Sequence, residues 1–406
     1  MINIIKKCRV CKSDALEDIL SLGNLYLSDF IKDNQKPPQY PLVLTLCTKC
    51  YLLQLKHTTP PSLLYNNNYG YKSGINKTMQ DHLKQIALEV IKKYGKTKSK
   101  LICADIGAND GTLLKNYKDN VFKIGIEPIE KYAKECKKYA DLVINDFFNY
   151  KIFKKKNKNE KVDIITAISC FYDMSDPNKF VADISKILSE NGIFVIQQNY
   201  LVSMLKQNAF DNIVHEHLEY YSLISLSNLL KRHNLEVFDV KTNNLNGGSF
   251  RTYICHKGRR RILKSVKKME EMEKRLKLLN KKIYHDFALR INKNKNKIKE
   301  FIETEVKKGK KIYIYGASTR GNTLLQYFEL NNLLIPYAVE RNPEKWGKKI
   351  ASLLIPIISE EQARKDKPDY MLVLPWFFQK EFLKREKQYL DNGGKFIFPL
   401  PNIKII

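Results

Sequence analysis

Leu101-Ile-Cys-Ala-Asp-Ile-Gly-Ala-Asn-Asp-Gly-Thr-Leu-Leu114 decides the reading of this chain. A run of buried-strand character ends on Asp105 and breaks into a turn holding Gly107 and Gly111, after which Leu113, Leu114 and Tyr117 predict an apolar helix. Glycines at such a turn let the backbone approach a ligand, and the helix start beyond them presents free N–H groups. A second strand, Phe122-Lys-Ile-Gly-Ile-Glu127, ends on an acid about 20 residues past Gly107, where a Rossmann-type fold places an acceptor for ribose hydroxyls. A third, Leu142-Val-Ile-Asn, runs into Asp146. Taken alone, the first turn also fits a purely structural strand-to-helix connection. The acids at their spacing favour a nucleoside site.

The turn lacks the full G-x-G-x-x-G of a dinucleotide binder, because Asn109 stands at the second glycine. An acid before the turn and no demand for pyrophosphate suit a cationic, phosphate-free nucleoside, and S-adenosylmethionine is that ligand. Asp105, Gly107, Asn109, Asp110, Gly111, Glu127 and Asp146 are therefore the candidate cofactor residues.

Around this stretch, 406 residues allow two to three domains with cores of their own. Residues 1–72 read as short strands and turns. Residues 73–256 alternate helix and strand, which predicts a mostly parallel sheet closed by an antiparallel hairpin, Leu235–Thr242 with Ser249–His256. Residues 257–310 read as one or two basic helices ending at Gly309. From residue 311 to 406 the strand–helix pattern restarts with Ile312-Tyr-Ile-Tyr315, followed by strands at Ile335–Val339, Tyr370–Leu374 and Lys395–Phe398. The expected fold class is α/β: a class I Rossmann-like sheet flanked by an N-terminal Cys₄ module and a second Rossmann-like unit.

The formal charge of +28 points first to an anionic partner such as nucleic acid. Its densest part, Lys257–Lys311, is helix-forming and lacks the interleaved aromatics of a base-stacking surface, so a solvated face accounts for it. No specific nucleic-acid partner and a monomer are expected. No run of 18 apolar residues exists and no leader is evident, which predicts a cytoplasmic protein without a membrane span. There its eight cysteines stay reduced and meet metal sooner than one another.

Cys8-Arg-Val-Cys11 and Cys47-Thr-Lys-Cys50 form two CxxC knuckles. Each holds two thiolates on one side of a tetrahedral ion, and the pair predicts a closed, structural Zn²⁺ site without catalysis. Cys103, Cys136, Cys170 and Cys255 read as small core residues.

Beyond the fifth strand, Phe194-Val-Ile-Gln-Gln-Asn199-Tyr200, comes Val214-His215-Glu216-His217-Leu-Glu-Tyr220-Tyr221. Histidine suits proton removal near neutral pH, and the carboxyl edge of a doubly wound sheet is where substrate binds. A surface or capping cluster is the alternative for His-Glu-His in isolation.

These elements, in this order, resemble the three-part sugar C-methyltransferase family, whose members methylate a carbon next to a ketone in nucleotide-linked deoxysugars. The resemblance runs over nearly the whole chain: the Cys₄ module with Tyr65-Asn-Asn-Asn-Tyr69-Gly-Tyr71, the Asp-Ile-Gly-Ala-Asn-Asp-Gly turn, His215-Glu-His-Leu-Glu-Tyr-Tyr-Ser-Leu223, Asn246-Gly-Gly-Ser249-Phe-Arg251, Tyr315-Gly-Ala-Ser-Thr-Arg-Gly-Asn322, Arg341-Asn-Pro-Glu-Lys345 and Leu374-Pro-Trp376. It implies that His217 takes the proton alpha to the ketone with Glu216 and His215 beside it, and that Tyr69 and Tyr71 close over cofactor and substrate. It further implies that Asn199, Arg251, Ser318, Arg320 and Asn322 meet a small-molecule nucleotide sugar. The turn at Gly316–Gly321 reads as a phosphate cradle or, alternatively, as plain packing. Val214 departs from the family, which has a sugar-orienting tyrosine three residues before the base. Methylation at oxygen or nitrogen of a related sugar, and a zinc-ribbon RNA methyltransferase, are the competing functions.

Overall fold

The computed structural model describes residues 2–66, 69–95, 101–118, 120–157 and 161–406. Its centre is a seven-stranded sheet in the order Leu235–Asn243, Ser249–His256, Leu188–Asn199, Val162–Ile168, Leu101–Ile106, Val121–Ile126, Leu142–Ile144. The last five pair in parallel, and Ser249–His256 joins antiparallel to both its neighbours. Parallel strands buried on both faces need continuous apolar runs, which Ile164, Ile165, Phe194, Val195 and Ile196 supply at 0–1% exposure.

Helices cover the sheet, and their caps are written in the sequence. Asn76 accepts from the Thr78 N–H at the start of Lys77–Tyr94, whose Met79, Leu83, Ile86 and Val90 form the buried stripe. Asp176 caps Pro177–Ile187 with proline at the first turn, and Ser222 makes a capping box on Leu223–Lys231. The helix expected after the glycine turn is a correction: only a 3-10 turn, Leu114–Asn116, forms there. Leu113, Leu114 and Tyr117 are buried as expected, but the stretch is too short to close an α-helix before the strand at Val121.

The C-terminal sheet has eight strands in the order Lys404–Ile405, Lys395–Phe398, Tyr370–Val373, Ile312–Tyr315, Ala338–Glu340, Ile355–Ser359, Lys349–Ile350, Phe30–Ile31. The strand at Ile355–Ser359 escapes the sequence reading because Pro356 interrupts an otherwise apolar run. The expected strand at Ile335–Val339 is shorter, Ala338–Glu340. The basic segment forms two helices, Lys264–Arg275 and Lys282–Lys307. The second buries Tyr284, Phe287, Ile291, Ile298 and Ile302 on one side, while Lys282, Lys295 and Lys299 pair with Asp286 and Glu329 on the other.

The parts exchange strands across the borders expected at 72, 256 and 310. Phe30–Ile31, from the N-terminal part, ends the C-terminal sheet. Glu219–Tyr220, which begins two residues after His217, joins the N-terminal sheet, ordered Glu219–Tyr220, Leu53–Leu55, Gln39–Cys47, Leu16–Tyr26. Among the described residues, no helix is long and apolar enough to cross a membrane.

Candidate active site

Two cavities meet beside the carboxyl edge of the central sheet. The first, about 430 Å³, lies over the glycine turn and is lined by Gly107, Asn109, Glu127, Asp146, Phe147 and Met79. The second, about 560 Å³, opens between the central and C-terminal sheets and is lined by Val214, His217, Asn199, Ser318, Arg320 and Arg341. Tyr69, Tyr71, Ser169, Asp173 and Glu216 line both, so they form the shared wall.

The first cavity is shaped by its turn. Gly107 holds φ +70°, and a Cβ there would press to 3.0 Å from the Cys170 sulfur. Asn109, also left-handed at φ 51°, donates its N–H to Glu127 Oε2 at 2.8 Å, while Ile129 N–H donates to Oε1 at 2.9 Å. The Glu127 carboxyl is 4% exposed and burial raises its pKa. Each oxygen can accept a further bond, and Glu127 lines the cavity, as a ribose acceptor requires.

Three expected cofactor residues lie behind the wall and do not line the cavity. Asp105 is buried, accepts from Thr166 Oγ1 at 2.6 Å, and is pushed up to about 7 by burial. Asp110 accepts from the Gly74 N–H at 2.9 Å, and Gly111 leaves room for Cys136, whose Cα stands 3.1 Å from where a Cβ would sit. These residues hold the turn and do not face the cavity. The segment carrying Tyr69 and Tyr71 is strapped down by the same elements: Lys131 and the Tyr132 hydroxyl donate to the Tyr69 carbonyl, and Asn109 Nδ2 donates to that of Tyr71. Ser73 N–H donates to Asn109 Oδ1 at 2.9 Å.

His217 borders the second cavity in a defined tautomer. Its Nδ1 lies 2.8 Å from the Asn212 carbonyl, which can only accept, so Nδ1 carries the proton and Nε2 keeps its lone pair. Nε2 has no hydrogen-bond partner among the described residues, and the Tyr172 ring stands edge-on to the imidazole with centroids 4.5 Å apart. Burial, with the Arg320 charge adding, lowers His217 to about 4, which keeps the ring neutral at physiological pH. His215 differs. Its Nε2 is committed to the Tyr40 carbonyl at 3.0 Å, tying the loop to the N-terminal sheet beside the first cavity.

A latch behind His217 joins the two large sheets. Arg320 donates through Nη2 and Nε to Asp211 Oδ2, at 2.7 and 3.1 Å, and through Nη1 to the Asn246 carbonyl at 2.8 Å. The Trp376 indole N–H donates to the same Asp211 oxygen. Asn199 Nδ2 donates to Asn212 Oδ1, fixing the residue that orients His217. Arg320 therefore arrives at the cleft already paired, and Ser318 Oγ is spent capping the helix Thr319–Tyr327. Two expected substrate residues do not line the cleft. Arg251 is buried against Gln197 and Glu89, and Asn322 is 1% exposed with its Oδ1 accepting from Ser352. Both fill space between elements. Sequence reasoning passed over Tyr172, Asp173, Asp211 and Asn212. The first two follow the strand Val162–Ile168 at its carboxyl end, a placement that signals ligand contact.

The four knuckle cysteines converge on one point. A tetrahedral zinc with Zn–S near 2.3 Å sets sulfurs about 3.8 Å apart. Cys8–Cys50 and Cys11–Cys47 stand at 3.5 and 3.4 Å, with all four sulfurs within 4.8 Å of one another. The set is closed, so the zinc it holds is structural.

Three family models match in succession: a zinc binding domain over residues 8–65, a methyltransferase domain over 76–240, and a C-methyltransferase C-terminal domain over 244–401. The C-methyltransferase NovU of Streptomyces niveus is 28% identical over 409 residues, spanning 99% of this chain and 97% of that protein. Among solved structures, an S-adenosylmethionine-dependent methyltransferase of Clostridium acetobutylicum aligns with 44% of this chain and 92% of its own, at 13% identity and a TM-score of 0.36. A magnesium protoporphyrin IX methyltransferase of Synechocystis with bound SAH aligns with 47% and 91%, at 10% identity and a TM-score of 0.35.

Proposed function

Because the chain belongs to the family of S-adenosylmethionine-dependent C-methyltransferases that join a zinc-binding domain, a methyltransferase domain and a dedicated C-terminal domain, we propose that it methylates the carbon alpha to the ketone of a nucleotide-linked sugar. The observation that carries this reading is the free Nε2 lone pair of His217, which lines the second cavity next to Glu216 of the wall shared with the first.

When bound, S-adenosylmethionine supplies an electrophilic methyl group. The chain's own residues do the rest. Glu127, at the end of its strand, accepts from the ribose hydroxyls, and Asp146 lies towards the adenine. His217 Nε2 takes the alpha proton of the substrate. The C–H electron pair becomes an enolate, whose carbon is the nucleophile, while Asn212 holds the imidazolium through Nδ1–H. Tyr69 and Tyr71 shape the shared wall between donor and acceptor. The sugar's diphosphate lies towards Arg341, which is exposed at the cleft, and its negative charge offsets the Arg320 field that depresses His217.

The decisive experiment is deuterium exchange from solvent into candidate nucleotide ketosugars, with the enzyme and S-adenosylhomocysteine. Exchange at the alpha carbon, followed by carbon methylation with the full cofactor, supports the reading. A true substrate methylated with no exchange would move the acceptor to oxygen or nitrogen.

A further inference from the structure

Asp173 sits at the end of the 3-10 turn Phe171–Asp173 and lines both cavities. Its Oδ1 is sealed from solvent and makes no short hydrogen bond, and the neighbouring Tyr65 hydroxyl, sealed likewise, is the donor that leans on the carboxyl. The titratable groups that face it are Tyr65 and Tyr69 from the strapped segment, Cys170 and Tyr172 from its own turn, Glu216 from the His-Glu-His loop, and Glu219 and Tyr220 beyond it. None is a cation, and among the described residues no lysine or arginine pairs with it. Burial, opposed by the Tyr65 hydroxyl and reinforced by the Glu216 charge, holds its carboxyl well above the usual carboxylate range. Asp173 is half-buried, and an acid so enclosed without a counter-charge costs free energy unless a ligand brings one.

The transferred methyl group has to face the acceptor, so the donor's sulfonium belongs at the wall the cavities share. We propose that Asp173 is the counter-ion of that sulfonium, so that the site holds the charged methyl donor more tightly than its neutral thioether product. On binding, Asp173 gives its proton to solvent and pairs with the cation. Once the methyl group has left, the cation is gone, the carboxylate recovers a proton, and the product is no longer retained by charge. The inference rests on the cofactor assignment and goes beyond it, in that it concerns discrimination between donor and product.

Titration calorimetry with S-adenosylmethionine and S-adenosylhomocysteine, on wild type and Asp173→Asn, tests this. Running each titration in two buffers of different ionisation enthalpy counts protons. The variant is expected to lose about 10-fold or more in affinity for the methyl donor, and under about 3-fold for the thioether, as for removal of one charge-assisted contact. Wild type is expected to release a proton with the donor only, and the variant with neither. Asp173→Ser gives the same readout should the asparagine variant fail to fold. Equal losses for both ligands, or unchanged donor affinity, overturn the proposal. Wild type that bound neither ligand would overturn the cofactor assignment along with it.

Discussion

Replacing His217 with asparagine removes the imidazole while keeping a polar side chain of similar reach. The expected outcome follows from the ring's surroundings. Because Nδ1–H is donated to the Asn212 carbonyl and His217 is lowered from 6.5 to about 4, the ring is neutral through the physiological range. Loss of a general base costs about 10²–10⁴-fold in rate. Methyl transfer and alpha-proton exchange should fall together by that factor in His217→Asn, with cofactor affinity nearly intact, because Glu127 lies on another strand. The wild-type kcat/KM profile should stay flat through pH 6.5 and bend only towards pH 4. The kcat profile should bend higher, since an anionic substrate offsets the Arg320 charge that helps depress the base. Stability carries a matching signature. The folded-state value lies below the unfolded one, so stability is full above pH 6.5 and is lost as pH falls towards 4. The loss is about 3 kcal/mol for the drop from 6.5 to about 4. His217→Asn should remove that share of acid sensitivity. Persistent exchange in the variant, or a kcat/KM inflection near 6.5, would refute the assignment of the base.

Cys47→Ser is expected to yield insoluble or protease-sensitive protein, because a closed thiolate site contributes folding free energy directly; soluble, folded wild type without zinc by metal analysis would refute the site. Glu127→Ala should weaken S-adenosylmethionine by about 1.5–3 kcal/mol in calorimetry, and unchanged affinity would move the ribose contact elsewhere. Arg320→Met leaves Asp211, whose side chain is 1% exposed, with the Trp376 indole as its remaining side-chain donor among the described residues. It should destabilise the folded chain by about 3 kcal/mol by denaturant titration, and a cost below about 0.5 kcal/mol would show the latch to be slack.

The fold was legible where period and punctuation were strong. The central strands are continuous apolar runs ending on Asp105, Glu127 and Asn199, and the two CxxC pairs specify their own geometry. Short elements were not legible: Leu114–Asn116 reads as a helix by its apolar spacing, and Ile355–Ser359 is masked by a proline. At the site, the sequence separates residues from their function by one layer. Asp105, Asp110, Gly111, Arg251 and Asn322 are of the right type and near the right place, yet they support the wall and do not form it. The spacing of residues along a chain gives no sign of which side of a turn a carboxylate faces. Asp211 escaped because its partners, Arg320 and Trp376, lie more than 100 residues away, and Asn212 because a contact between its carbonyl and the His217 imidazole leaves no mark on residue type.

The exchanged strands bear on how this chain is made. Tyr26 N–H donates to Gln326 Oε1, 300 residues further along, and the C-terminal sheet lacks its last strand until Phe30–Ile31 arrives from the other end. During synthesis the N-terminal part must therefore wait, its edges open, while nearly the whole polypeptide emerges. Pairings so distant in sequence are slow to form, and an open edge invites the wrong neighbour. A chimaera that swapped only the first 72 residues for a relative's would carry an edge strand shaped for another protein's sheet. Exchange of substrate preference between relatives would then have to move the ends of the chain together.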